Sequence, residues 1–401
     1  MISPQTHDTI YAKRRRHKDF FYGYPLHKRI IRRVEQANKI LWTGLLGKLL
    51  GVRPIAAPLD PRAVKSILFI RNDAIGDMVL TTPLWHAIRN QFPHIRIGVA
   101  ASFRNRAVLD QDPNVDIVFD ATEGDLKALW RAKREIGKEH WDVVMPMMYY
   151  RKTKMAVVTR FLAPGSISST LVKPGESVEK RGKLFSIVVQ SPYRTEDIEM
   201  VEQMRIHLCG VLDMTIMDEE WKLHLYPDPT ALKLVEERTH AIIASDGTVR
   251  YFHINLEAKT AFKEYGNEAS LDLSRRLLEE YPDASVLWTS SPQAATEIGA
   301  FLSAHPTSRL HFFKTGSLHE LFALVKGASL VVTPDTSVVH IASAFERPVV
   351  ALYPVRHEWP PYKTPYRLLL SEREQPVSRI PVAMVLGACR ELLMARVVAP
   401  S

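Results

Sequence analysis

From residue 60 onward, short apolar runs alternate with stretches whose apolar positions recur at helical spacing. The runs at 66–70, 95–100, 115–119 and 142–146 read as strands, and helices are expected at about 78–91, 103–110 and 123–139. Residues 164–182, richer in Gly, Ser, Lys and Pro, read as a loop, and 194–213 read as a helix. The break Tyr226-Pro227-Asp228-Pro229 marks an expected boundary. Beyond it a second series has strands at 251–255, 285–289, 309–313, 330–333 and 349–353. Its helices are expected at about 269–281, 293–303, 317–327 and 336–345. Strands alternating with helices imply parallel sheets covered on both faces. The expected fold is α/β, two doubly wound units in series, with ligands beyond the carboxyl ends of the strands and in the cleft between the units.

A different pattern precedes them. Ile30, Val34, Ala37, Leu41 and Leu45 recur at helical spacing, joined by Ile31, Trp42 and Leu49, with Lys28, Arg29, Arg32, Arg33 and Lys39 at other positions. Upstream lie the cluster Lys13-Arg14-Arg15-Arg16-His17-Lys18 and the aromatic stretch Phe20-Phe21-Tyr22-Gly23-Tyr24. This is the pattern of a basic amphipathic helix, suited to an anionic membrane surface or to packing on the body with its charged face in water. The expected division is an arm over 1–60, a first domain over 61–225 and a second over 226–401.

Charge sharpens that division. The 401 residues carry a net charge of +9, and residues 1–53, with 12 Lys/Arg and 3 Asp/Glu, account for all of it. The remaining chain is neutral, so the body is not a general polyanion binder and no nucleic-acid partner is expected. A composition that is 46% hydrophobic and 24% charged excludes a wholly disordered chain. No apolar run reaches membrane-spanning length, and no secretory leader fits. Two cysteines, Cys209 and Cys389, make neither a disulfide framework nor a four-cysteine zinc site, which favours a reducing cytosol.

Three strand-to-loop junctions carry polar side chains. Arg71-Asn72-Asp73-Ala74-Ile75-Gly76-Asp77 follows the first strand. Gly76 permits a close backbone approach there. Asp77 has two readings, a carboxylate favoured at a helix start and a general base aimed into the cleft. The loop 255–265 carries Lys259 and Lys263, which read either as surface charges or as phosphate ligands. Thr333-Pro334-Asp335-Thr336-Ser337-Val338-Val339-His340 joins a buried strand to a helix. Asp335 or Thr336 can cap that helix, whose free N–H groups make an anion site. His340 falls one turn inside, either as a structural histidine or facing a ligand. No G-x-G-x-x-G, P-loop or G-x-S-x-G motif is present, which disfavours dinucleotide dehydrogenases, P-loop NTPases and α/β-hydrolases. Asp110-Gln111-Asp112 has the form of a D-x-D metal motif, but it precedes Pro113 in an expected loop, and no metal is assigned.

At these junctions the chain resembles glycosyltransferase family 9, the ADP-heptose:lipopolysaccharide heptosyltransferases. The stretch ILFIRNDAIGDMVLTTP at 67–83 is similar to the family's strand, G-D turn and T-x-P. DTSVVHIASAFERPVVALY at 335–353 is similar to its D-T-G-x-x-H-x-A-x-A and following strand, with Ser337 at the glycine position. Lys263-Glu264-Tyr265 is weakly similar to K-x-W-P. The likeness spans about residues 62–395 and omits the arm.

The resemblance implies a GT-B fold, two Rossmann-like domains facing across a cleft. It implies inverting, metal-independent transfer without a cofactor. The implied donor is ADP-heptose and the implied acceptor the Kdo/lipid A inner core of lipopolysaccharide, at the cytoplasmic face of the inner membrane. The first domain would serve the acceptor and the second the donor. By position, Asp77 matches the proposed catalytic base, on a turn near the acceptor formed by Asn72, Asp73 and Gly76. Lys263 matches the donor-phosphate lysine, with Lys259 nearby, and Asp335, Thr336, Ser337 and His340 match the donor-binding turn. Another nucleotide sugar, an epimerase or hydrolase on the same scaffold, and a non-catalytic lipopolysaccharide-binding protein are the alternatives.

Overall fold

The computed structural model describes residues 45–398, apart from 123, 150–151, 195–196, 292, 356–358 and 373–374. Most of the expected amphipathic arm therefore lies outside the described residues. Within it, residues 45–49 are helical. Leu46 and Leu50 pack against Ala156, Leu184 and Phe185. Gly47 sits directly on the Lys183 carbonyl, where no Cβ would fit.

The first sheet comprises β1 (Ser66–Ile70), β2 (Arg96–Ala101), β3 (Ile117–Asp120), β4 (Val143–Pro146), β5 (Ile167–Val172) and β6 (Ile187–Gln190). Around it lie α1 (Ile75–Gln91), α2 (Leu126–Ile136), α3 (Lys152–Leu162), the short α4 (Val178–Gly182) and α5 (Met200–Val211). The strands are all parallel in the order β3-β2-β1-β4-β5-β6. α6 (Pro229–Asp246) leads into the second unit, started by Pro229 behind the capping carboxylate of Asp228.

The second sheet comprises β7 (Arg250–Asn255), β8 (Ala284–Thr289), β9 (Leu310–Phe312), β10 (Leu330–Pro334), β11 (Val349–Tyr353) and β12 (Tyr366–Leu370). Its helices are α7 (Asn267–Glu280), α8 (Ala295–Ala304), α9 (Leu318–Gly327), α10 (Ser337–Ala344) and α11 (Val382–Val398). Read from β9, the order is β9-β8-β7-β10-β11-β12, the same as in the first sheet and again parallel. Strands buried on both faces explain the unbroken apolar runs of β1, β10 and β11. One core cluster runs from Phe69, Met78 and Trp85 to Val338, Ile341 and Ala342, so apolar packing is continuous from α1 to α10.

α1 carries Pro83 in its interior, which removes the hydrogen bond normally received by the Val79 carbonyl. Thr82 Oγ1 donates to that carbonyl at 2.8 Å and accepts from His224 N at 2.9 Å. The helix that presents the first polar turn is thereby kept whole and tied to the chain that leads into the second unit.

Two expectations are corrected. Residues 103–110 hold a single 3-10 turn, Arg106–Val108, in place of a helix. Asn105 accounts for this: its Oδ1 accepts from Ser102 N at 2.8 Å and its Nδ2 donates to Arg71 O at 3.0 Å. The expected loop at 164–182 contains β5 and α4. Two of its hydroxyls are buried and bonded, Ser169 Oγ lying 3.0 Å from His207 Nε2 and Ser168 Oγ accepting from Ser186 N at 3.2 Å. α3, β6, α6, β12 and α11 were not expected from the pattern.

Candidate active site

The first polar turn is organised by Arg71. The residue follows β1, and its side chain is only 3% exposed. Nη2 donates to Asp77 Oδ1 at 2.8 Å, Nε donates to Asp77 O at 3.1 Å, and Nη1 donates to Met147 O. Arg71 Nε also lies 3.3 Å from Asp73 Oδ1. One guanidinium thus joins two carboxylates and the end of β4. Such charge-assisted bonds fix direction as well as energy.

The two carboxylates differ. Asp73 is enclosed, and burial pushes its carboxyl up to about 6, with Arg71 opposing that rise and the Asp77 charge adding to it. Asp77 lies in the first turn of α1 with its side chain 24% exposed, one oxygen held by Arg71. Asn72 ties the turn to the end of β3 through Nδ2 to Ala121 O at 2.5 Å. The roles of Arg71 as organiser and of Asp73 as a second carboxylate were missed in the sequence. The available signal was a run of charged residues directly after a fully apolar strand.

The second unit supplies the opposite wall. Asn255, at the end of β7, donates through Nδ2 to Thr333 Oγ1 at 3.1 Å and Thr336 Oγ1 at 3.3 Å. Thr336 is the N-cap of α10, accepting from Val338 N at 3.2 Å. Lys263 stands in a 3-10 turn of the β7–α7 loop and pairs with Asp335 Oδ2 at 2.5 Å. A lysine, a carboxylate and a helix N-terminus therefore share one corner. Lys259, in the same loop, is exposed at the surface.

The two walls touch. A Cβ on Gly76 would stand 2.7 Å from His340 Cδ2 and 3.3 Å from Ser337 Cα. Gly76, Asp77, Ser337 and His340 are thus gathered where the N-termini of α1 and α10 meet. His340 is buried at that junction. Asp112, the second carboxylate of the D-x-D stretch, accepts from Trp85 Nε1 at 2.6 Å, Asn114 N at 3.0 Å and Asn114 Nδ2 at 2.9 Å. It is a structural residue. Among the described residues no three His, Cys, Asp or Glu side chains converge as a metal site.

The arrangement offers a partly exposed carboxylate on one wall and, on the other, a cation beside a helix N-terminus. Those are a proton acceptor and an anion-stabilising corner.

The fold is shared with three solved structures. The Veillonella parvula family 9 glycosyl transferase has a TM-score of 0.68 at 18% identity, covering 85% of this chain and 100% of that one. Escherichia coli ADP-heptose lps heptosyltransferase II gives 0.62 at 20%, with 83% and 100% covered. Escherichia coli heptosyltransferase WaaC with ADP gives 0.64 at 14%, with 82% and 99% covered. No curated protein matches at the level of sequence. The model of glycosyltransferase family 9 (heptosyltransferase) matches residues 129–381, a span that holds Lys263 and the turn 335–340 but not Asp77. Two parallel six-stranded sheets in the GT-B arrangement and a family match over more than half of its length make this chain a glycosyltransferase that belongs to family 9.

Proposed function

We propose that the protein transfers heptose from ADP-heptose to the Kdo/lipid A inner core of lipopolysaccharide, with inversion at the anomeric carbon. The observation that carries this reading is the contact of Gly76, the neighbour of Asp77, with Ser337 and His340, which sets the first polar turn against the start of α10. Asp77 takes the proton from the acceptor hydroxyl as its oxygen attacks the anomeric carbon. The bond from that carbon to the diphosphate breaks, and the negative charge passes to ADP. Lys263 and the N–H groups at the start of α10 stabilise that charge, so the reading calls for no metal. Arg71 holds one oxygen of Asp77, which leaves the other for the acceptor. Lys259 lies at the outer edge of the donor loop.

Two solved neighbours support the donor: WaaC is described with ADP and with ADP-2-deoxy-2-fluoro heptose. The acceptor is a membrane lipid, and the basic arm over residues 1–60 suits the anionic inner-membrane surface. Among the described residues no helix is long and apolar enough to cross a membrane.

The test is ADP release from ADP-heptose, with and without a heptose-less Kdo–lipid A acceptor. Acceptor-dependent release that falls about 100-fold or more in Asp77→Asn is expected for a lost general base. Acceptor-independent release would point instead to a hydrolase or epimerase, and silence with this donor would sink the assignment of heptose.

A further inference from the structure

α2 and α3 lie side by side on the first unit and present an unusual outer face. Leu126 is 72% exposed, Trp130 60% and Val157 41%. Trp130 and Phe161 meet edge to face with centroids 5.0 Å apart. Lys133 Nζ stands 4.5 Å above the Phe161 ring and donates to Phe161 O at 2.7 Å. The indole is therefore held outward on a fixed support. Leu126 and Trp130 are four residues apart, on one stripe of α2.

Charge surrounds this apolar stripe. The two helices carry seven Lys/Arg, namely 127, 131, 133, 134, 152, 154 and 160, and a single acidic residue, Glu135; Lys152 is buried against Glu176, which leaves six. Lys127, Arg131 and Arg134 are exposed on α2 beside the stripe. Asp125, just before the helix, is spent on the cap, accepting from Lys127 N and Ala128 N. The body as a whole is neutral, so this local excess is a feature of the face.

The face adjoins the active-site turn. A small open pocket is lined by Leu126 and Leu129 of α2, by Met155 and Val158 of α3 and by Asn72 of the first polar turn. Whatever the face rests on is thereby brought beside that turn.

We infer that the α2–α3 face is a docking surface for an anionic lipid bilayer, with Leu126 and Trp130 entering the interface and Lys127, Arg131 and Arg134 meeting the headgroups. An exposed, amphipathic Trp beside an aliphatic residue and a ring of cations matches the boundary between headgroups and acyl chains. A bilayer answers both features at once, the exposed indole through its interface and the cations through its headgroups. The inference concerns a surface apart from the N-terminal arm and does not depend on the donor.

The full-length protein is mixed with phosphatidylcholine–phosphatidylglycerol vesicles whose acyl chains are brominated near the headgroup, and tryptophan quenching is followed. Quenching is expected, and Trp130→Phe, which keeps an aromatic ring, is expected to remove a distinct share of it. Lys127→Glu/Arg131→Glu should weaken partitioning to the anionic vesicles by about tenfold or more. Vesicles of phosphatidylcholine alone should bind weakly in every case. Quenching unchanged in Trp130→Phe would overturn the inference and leave binding to the arm. Wild-type partitioning of the charge-reversed variant would overturn it equally. The vesicle readout involves no turnover, so a failed donor assignment leaves this result standing.

Discussion

Gly76 and His340, on helices of different units and 264 positions apart in sequence, are so close that a single methyl group on residue 76 would stand 2.7 Å from the imidazole. Gly76→Ala therefore forces the two walls of the cleft to shift. A loss of about 1–3 kcal/mol is expected, the usual cost of overpacking, together with a drop in turnover. His340→Ala made in the same chain opens space for the methyl. A double-mutant cycle by chemical denaturation should then show a favourable coupling between the two changes. Strict additivity would mean that the contact is not tight in solution.

Asp73 is the group through which pH should act on the first turn. Its folded-state carboxyl is raised to about 6 by burial, from an ordinary value of 3.8. The unfolded chain releases this proton first. The stability it contributes is thus complete below about pH 4 and is lost as pH rises through 6. Asp73→Asn should match the wild type at pH 4 and exceed it at pH 7.5 by about 1–3 kcal/mol. In activity, the charge on Asp73 acts directly on the setting of Asp77, since both carboxylates lie against Arg71. The acid limb of the pH–rate profile should therefore carry an inflection near 6 that Asp73→Asn removes. An unchanged limb would assign the inflection elsewhere, because coupled groups titrate as a pair.

Lys263 is tied to Asp335 at 2.5 Å and placed at the N-terminus of α10. Lys263→Met keeps the length of the side chain and removes its charge. ADP affinity should fall about 10–100-fold, the scale of a hydrogen bond to a charged group, as read by calorimetry. The inflection assigned to Asp73 should survive in this variant, since it belongs to the other wall. Lys259→Met, at an exposed site, should change affinity several-fold at most.

Acid stability should depend on two fully buried histidines. Burial pushes His207 and His253 down to about 3 from 6.5. His207 Nδ1 lies 3.0 Å from Tyr149 Oη, and its Nε2 lies 3.0 Å from Ser169 Oγ. His253 Nε2 lies 2.7 Å from Thr289 Oγ1. Each is neutral in the fold and takes a proton on unfolding below pH 6.5, so stability declines from there toward pH 3. His207→Gln retains a donor and an acceptor without the titration. Its denaturation midpoint should fall less steeply with acid than the wild type's.

The elements easiest to read in the sequence were those where local and tertiary demands agree. β1, β10 and β11 are apolar on both faces, and each is flanked by turn residues, so their extents were recovered almost unchanged. β5 was hidden because Ser168 and Ser169 lie in the sheet with their hydroxyls answered by distant partners. A loop-like composition carries no trace of Ser186 or His207. In the cleft, the motif residues from 76–77 and 335–340 were both legible, but their contact was not. It depends on the absence of a side chain at Gly76 and on the packing of α1 against α10. Arg71 was legible as a charge and illegible as a hub, since its partners Asp77 and Met147 are chosen by the fold.

The two sheets share one strand order, and both reverse direction of growth beside their first strand, between β1 and β4 and between β7 and β10. The Gly76-Asp77 turn hangs from one of these crevices, and Asn255 with the 335–340 turn hangs from the other. The molecule is in effect a pair of similar scaffolds bearing different loops, with a joint at Gly76. A lineage could redraw the loops after β7 and β10 to admit a different sugar while Asp77, the proposed proton acceptor, stayed where it is.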